Sequence, residues 1–169
     1  MIQQELYWTH TNPFLQALLN VDGPVLELGC GHYSTAITSA FKNKRRVVSV
    51  DHCPDWTKNM QNLYRKFDME IHVAGRDIEE YLAKTEPYTK EEWGIVFVDH
   101  GIITQRGPDL LRFKNQAEVL VMHDSHLDNP NDGYCSFEAI QSFKYYIEHK
   151  LYWPQTAVMS ETNDLSWLQ

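Results

Sequence analysis

The chain has 169 residues, 43% of them hydrophobic, and a formal net charge of −8. That length suits one domain, 1–169, with a helical lead-in over 1–22, and a core that removes about two-thirds of the unfolded surface from water. The composition excludes a disordered segment, and the acidic balance argues against a partner such as bulk duplex nucleic acid.

Residues 1–20 read as a helix broken or restarted at Pro13, with Phe14, Leu15, Leu18 and Leu19 on one apolar face. Asp22-Gly23-Pro24 is a turn, and the first strand follows at Val25. Beyond a glycine loop, Ser34 to Phe41 is predicted helical, with Ser34 or Thr35 as its cap. Lys42, Lys44, Arg45 and Arg46 read as a solvated turn before the second strand, which ends at Val50. Pro54 opens a helix in which Trp56, Met60, Leu63, Tyr64 and Phe67 recur at helical spacing. A short strand over 70–73 and a helix over 77–83, capped by Asp77, come next, then a polar loop over 84–92. The fourth strand closes on Asp99, a helix covers roughly 105–113, and the fifth strand closes at Met122. After a loop over 128–133, residues 136–149 are expected to form an amphipathic helix. Two closing strands are expected over 152–159 and 165–168. The alternation of strand and helix gives an α/β three-layer sandwich.

Four apolar runs end alike, on an acidic residue that in three cases has a histidine beside it or close by: Glu27, Asp51-His52, Asp99-His100 and His123-Asp124. Short β-branched runs without polar alternation are strands buried on both faces, which belong to parallel sheets. Their carboxyl ends share one rim, where open α/β folds bind ligands. Cys30, Cys53 and Cys135 are odd in number and widely spaced, which excludes a disulfide framework and points to a reducing compartment. With no signal peptide and no membrane span legible, the expected location is cytoplasmic.

The turn Glu27-Leu28-Gly29-Cys30-Gly31 joins a strand to a helix, where bare Cα atoms and free N–H groups admit a ligand. A dinucleotide fingerprint would need a small residue where Ser34 stands, and Glu27 would repel a pyrophosphate, so a cationic ligand fits better. Val25-Leu26-Glu27-Leu28-Gly29-Cys30-Gly31 resembles motif I of the class I S-adenosylmethionine-dependent methyltransferases. Asp51 is similar to that family's ribose-holding acid. The resemblance implies a seven-stranded, mostly parallel sheet of order 3-2-1-4-5-7-6 with strand 7 antiparallel. It also implies that Glu27, Gly29 and Gly31 line the methionine part of the cofactor and that Asp77 reaches the adenine. Tyr33 stands where the family has a third glycine and would narrow the pocket or stack on the ligand. Ser34, His52 and Asp99 complete the expected cofactor-facing set, and Trp56 is either core or a stacking platform. Ser34-Thr35, Phe97-Val98-Asp99-His100 and Val121-Met122-His123-Asp124 bring the chain nearest to the small O-methyltransferase-like members.

Methyl transfer to a hydroxyl needs a group that takes the proton, and a histidine suits that task. His100, His123 and His126 flank the fourth and fifth strands, so His100 and His126, with Asp124, are the expected catalytic residues. Asp99 and Asp124 could instead share Mg²⁺; otherwise Asp99 touches the cofactor and Asp124 caps a turn. The histidine is the favoured choice. Trp8, His10 and the loop over 128–134 are the candidates to cover the site. The expected activity is S-adenosylmethionine-dependent O-methylation of a small molecule or sugar. The alternatives are a non-catalytic module of the same fold that binds a partner and a nucleotide-dependent oxidoreductase.

Overall fold

A computed structural model of the chain describes residues 8–125, 127 and 136–168. Its elements in chain order are α1 (Thr11–Asn20), β1 (Val25–Leu28), α2 (Ser34–Ser39), β2 (Val47–Asp51), α3 (Pro54–Tyr64) and β3 (Glu70–Val73). After these come α4 (Ile78–Thr85), β4 (Trp93–Val98), α5 (Arg106–Phe113), β5 (Ala117–His123), α6 (Phe137–Gln141), β6 (Tyr145–His149) and β7 (Thr156–Ser160). Short 3₁₀ turns over Arg65–Phe67, Glu86–Lys90 and Ile103–Gln105 link several of them.

The seven strands form one sheet in the order β3-β2-β1-β4-β5-β7-β6, as the resemblance implies. β1 pairs in parallel with β2 and β4, and β7 runs antiparallel to both β5 and β6. β1, β2 and β4 are buried along their whole lengths, which is why their sequences show no polar alternation. Side chains still alternate between the two faces. Leu26, Leu28, Val48, Val96, Leu120 and Met122 pack with Tyr81, Leu110, Phe113 and Ile140. Val25, Val47, Ile95, Phe97, Val119 and Val121 pack on Phe14, Ala17 and Leu18 of α1. Glu27 and His123 belong to this second, α1 face.

The C-terminal third departs from the sequence reading. The helix expected over 136–149 stops at Gln141, and Tyr145–His149 is an edge strand registered on Thr156–Ser160. Helical spacing of Phe137, Ile140, Phe143 and Ile147 suggested one element. Yet only Ile140 and Phe143 of the last three are buried, while Ile147 is exposed. A partner strand overrides a five-residue aromatic and β-branched stretch more readily than a helix sustains it. Residues 165–168 form no strand; Leu165 is a buried plug in the left-handed region, φ +60°. The fifth strand runs one residue further than expected, through His123.

The basic turn is tied into the fold. Arg45 donates to the carbonyls of Val21 at 2.7 Å and Leu18 at 3.1 Å, closing the end of α1, and Arg46 pairs with Glu70 and Glu91. Among the described residues no helix is long and apolar enough to cross a membrane.

Candidate functional site

The glycine loop leaves β1 under close confinement. Gly29 has φ +104°, and a Cβ there would lie 2.5 Å from the backbone of Asp99 and His100 at the end of β4. Its N–H donates to Val50 at 2.7 Å, so the loop is pinned to both neighbouring strands. Ser34 and Thr35 do not cap α2, whose first residue follows Tyr33 without a side-chain cap. Thr35 turns inward instead: its hydroxyl accepts from the Gly31 N–H at 3.0 Å and donates to the Glu27 carboxylate at 2.9 Å. Ser49, opposite Glu27 in the β1–β2 register, donates to the same carboxylate.

Glu27 is therefore not on the crevice surface, contrary to expectation. It is fully buried and works as a positioning residue for the loop. Burial pushes its carboxyl up to about 7, against the lowering effect of its three hydroxyl partners, Ser34, Ser49 and Thr35. Burial and the nearby Asp51 and Glu27 also push the Cys30 thiol up, so the loop offers no thiolate nucleophile.

Asp51 ends β2 beside this loop. Its Oδ2 accepts from the Cys30 N–H at 3.2 Å and its Oδ1 from the Cys53 N–H at 2.7 Å. Trp56 donates its indole N–H to the Cys30 carbonyl at 2.6 Å, which ties α3 to the loop, and the ring packs against His32. The His52 Nδ1 lies 3.3 Å from Asp51 without hydrogen-bond alignment, and a Cβ on Gly101 would meet its ring at 2.7 Å. Tyr33 is exposed at the loop's rim, while Ser34 is buried beneath it. Asp77 caps α4 by accepting from the Glu80 N–H at 2.8 Å and stays exposed.

Across β1 lies a second group on the α1 face. His123 Nδ1 stands 3.2 Å from Asp99 Oδ1, and its Nε2 stands 2.9 Å from the hydroxyl of Thr9. His10 packs edge-on to His123, with ring centroids 4.6 Å apart, and rests on Phe97. Burial alone would lower the His123 imidazole, but its bond to Asp99 and the charges of Asp99 and Asp124 outweigh that and raise it. Burial would likewise raise the Asp99 carboxyl, and His123 and Arg106 hold it below the usual carboxylate range. His10 is lowered to about 4 by burial and by the neighbouring His123, so it is neutral.

Two expectations for this rim fail. Asp99 and Asp124 do not face each other across room for Mg²⁺: Arg106 lies between them, 3.1 Å from Asp99 and 2.7 Å from Asp124. Its guanidinium supplies the positive charge the ion was expected to bring. His100 is fully buried on the opposite side, its Nε2 2.9 Å from Asp109, which also accepts from Tyr81 at 2.7 Å. Among the described residues it is enclosed and packed on Tyr81, which makes it a core histidine rather than a base. His126 lies outside the described residues. Among the described residues, the histidines that stand beside Asp99 at the rim are His123 and, packed on it, His10.

Arg106 and Thr9 carried no signal in the sequence. Arg106 opens a helix of uncertain length, and a lone threonine before Pro13 has nothing to mark it. His10 was legible only as a residue that covers the site.

Fold and rim together define the class: this is the class I methyltransferase fold. No family model matches the chain, and no curated protein matches it by sequence. Solved structures do. The O-methyltransferase TomG from Streptomyces achromogenes, solved in complex with S-adenosylmethionine, is similar with a TM-score of 0.66 and 15% identity over 89% of this chain and 78% of its own. An O-methyltransferase from Bacillus cereus, solved with S-adenosylhomocysteine, gives 0.62 and 14% identity over 88% of this chain and 80% of its own. The bifunctional kinase-methyltransferase WbdD gives 0.57 and 17% identity over 90% of this chain, which spans 38% of WbdD.

Proposed function

We propose that the chain is an S-adenosylmethionine-dependent methyltransferase acting on a hydroxyl of a small molecule or sugar. The observation that carries this reading is Asp51. Both of its oxygens are fixed by backbone N–H groups, one of them from the glycine loop itself, so loop and acid form one rigid cradle. A carboxylate held this way has lone pairs to accept from a vicinal diol such as a ribose. Asp77 and Tyr33, both exposed at neighbouring loops, would border the adenine end. Gly29 and Gly31 let the backbone approach the amino-acid end.

S-adenosylmethionine, when bound, supplies an electrophilic methyl group. The chain's own residues have two tasks: to hold the acceptor oxygen in line and to take its proton. The cluster of His10, Asp99 and His123 stands across β1 from Asp51 and does the second. The Thr9 hydroxyl supports this reading, since its Oγ1 sits 2.9 Å from His123 Nε2. That same contact favours a second reading, a cofactor-binding module whose N-terminal segment covers the cluster and prevents turnover.

Calorimetric titration with S-adenosylhomocysteine and with NAD, followed by turnover on a panel of hydroxyl acceptors, tests both. Binding of the former alone, with methylated product, is expected. Binding without product on any acceptor supports the module, and binding of NAD alone overturns both.

A further inference from the structure

His10 is the least explained buried group near the rim. Its side chain belongs to a residue only 3% exposed, and among the described residues neither ring nitrogen has a hydrogen-bond partner. A buried imidazole with both nitrogens unanswered is costly, so an occupant is expected where it points. A ring nitrogen of His10, one of His123 and a carboxylate oxygen of Asp99 all lie within 4.8 Å of one another. A second unanswered group adjoins them. Thr156, opposite His123 in the β5–β7 register, has a buried hydroxyl with no partner.

We propose that His10, Asp99 and His123 form a binding site for a borderline divalent metal ion of the Zn²⁺ and Co²⁺ class. Two imidazoles and one carboxylate are the donor set such ions take, with an open position left for water or substrate. Mg²⁺, which prefers oxygen ligands throughout, is disfavoured. Charge permits the ion despite Arg106. The guanidinium is shared by Asp124 at 2.7 Å and Asp99 at 3.1 Å, so the two carboxylates together keep one negative charge beyond it for the ion. The second nitrogen of His123 is already oriented by Thr9, as the far nitrogen of a metal-bound histidine normally is. This site is not the Asp99–Asp124 pair that the sequence suggested.

Use of the ion to acidify an acceptor hydroxyl rests on the methyl-transfer reading, whereas binding of the ion does not. The test is therefore a Co²⁺ titration of the full chain, followed by visible absorption and repeated with His10→Phe and Asp99→Asn. Strong bands of a four- or five-coordinate ion are expected. Each variant should bind Co²⁺ about 100-fold more weakly or worse, since even residues behind the ligands are worth about 10–100-fold. His10→Phe should keep its affinity for S-adenosylhomocysteine. A spectrum of the aqueous ion, or bands that survive His10→Phe, overturns the site. If His10→Phe does not fold, proton NMR of the Co²⁺-loaded wild type decides. Two strongly shifted imidazole N–H resonances support the proposal, and none or one overturns it. A metal result of either kind leaves the cofactor titration free to fail or succeed separately.

Discussion

Arg106 and Asp124 form an ion pair of 2.7 Å at the rim, and Asp124 is held in the left-handed region with φ +58°. The same guanidinium donates through Nε to the His100 carbonyl at 2.8 Å and through Nη1 to the His123 carbonyl at 3.1 Å. One side chain thus ties the ends of β4 and β5 together. Arg106→Met should lower unfolding stability by about 3 kcal/mol or more, because two carboxylates and two carbonyls lose their donor in a buried place. Urea denaturation of the purified variant measures this. A loss under about 1 kcal/mol would mean that the rim is held by something else.

Much of this rim was legible, and the reason is local. Strands buried on both faces advertise themselves as apolar runs, and their last residue marks the rim whatever the rest of the fold does. Asp51 and Asp99 were found that way, whereas Glu27 sits one residue inside the end of β1 and is buried. What the runs do not reveal is the direction of the residue after the strand. His100 and His123 look equivalent in sequence, yet one points to Asp109 under α5 and the other to Asp99 on the α1 face. Parity of the strand decides it: His123 is still inside β5, while His100 lies two residues beyond β4. Arg106 was missed because its partners are 7 and 18 positions away and depend on how α5 docks. The edge strand β6 was missed for a related reason, since it exists only by pairing with β7.

The two histidines should separate in experiment. His100→Ala removes a hydrogen bond to the buried Asp109 and should cost about 1.5–3 kcal/mol of stability while turnover per folded molecule stays near wild type. His123→Ala should lower turnover by about 10²–10⁴-fold with affinity for S-adenosylhomocysteine little changed. Denaturation curves and product release on an acceptor from the panel give both numbers. The reverse pattern would return the catalytic role to His100.

Asp51→Ala should weaken S-adenosylhomocysteine binding by at least ~1.5 kcal/mol, because a charge-assisted bond to the ribose is lost. Asp51→Asn is the companion variant. Its amide oxygen can still accept from the Cys30 N–H, which keeps the tie to the loop at the expense of the Cys53 N–H while removing the charge. Calorimetry on the two folded variants is the measurement, and wild-type affinity in both would remove Asp51 from the cradle.

Gly29 and Gly31 should respond very differently to the same change. A Cβ at Gly29 meets backbone at 2.5 Å at a φ of +104°, and neither β1 nor β4 can move aside. At Gly31 it meets only the Ser34 hydroxyl oxygen at 3.3 Å. Gly29→Ala should cost about 3 kcal/mol or more, or fail to accumulate, whereas Gly31→Ala should stay within about 1 kcal/mol. Thermal melts of the two variants decide the point, and equal losses would contradict the confinement of Gly29.

Glu27 makes stability depend on pH in a direction opposite to most carboxylates. Its carboxyl sits at about 7 in the folded chain against an ordinary value of 4.5. Below 4.5 both states are protonated and the group contributes no penalty. Between 4.5 and 7 the folded state keeps a proton that the unfolded state has released, so stability falls as pH rises. Above about 7 both states are ionised and the full cost of the buried charge is felt, about 3 kcal/mol for a shift of this size. Glu27→Gln stays neutral throughout, and its amide oxygen can still accept from Thr35 or Ser49. The variant should therefore gain on the wild type by up to about 3 kcal/mol between pH 5 and pH 8, since all other titrating groups cancel in the comparison. Urea denaturation of both proteins at the two pH values provides the test. Parallel pH slopes would show that the Glu27 carboxyl titrates in its ordinary range and is not the buried acid the loop is built around.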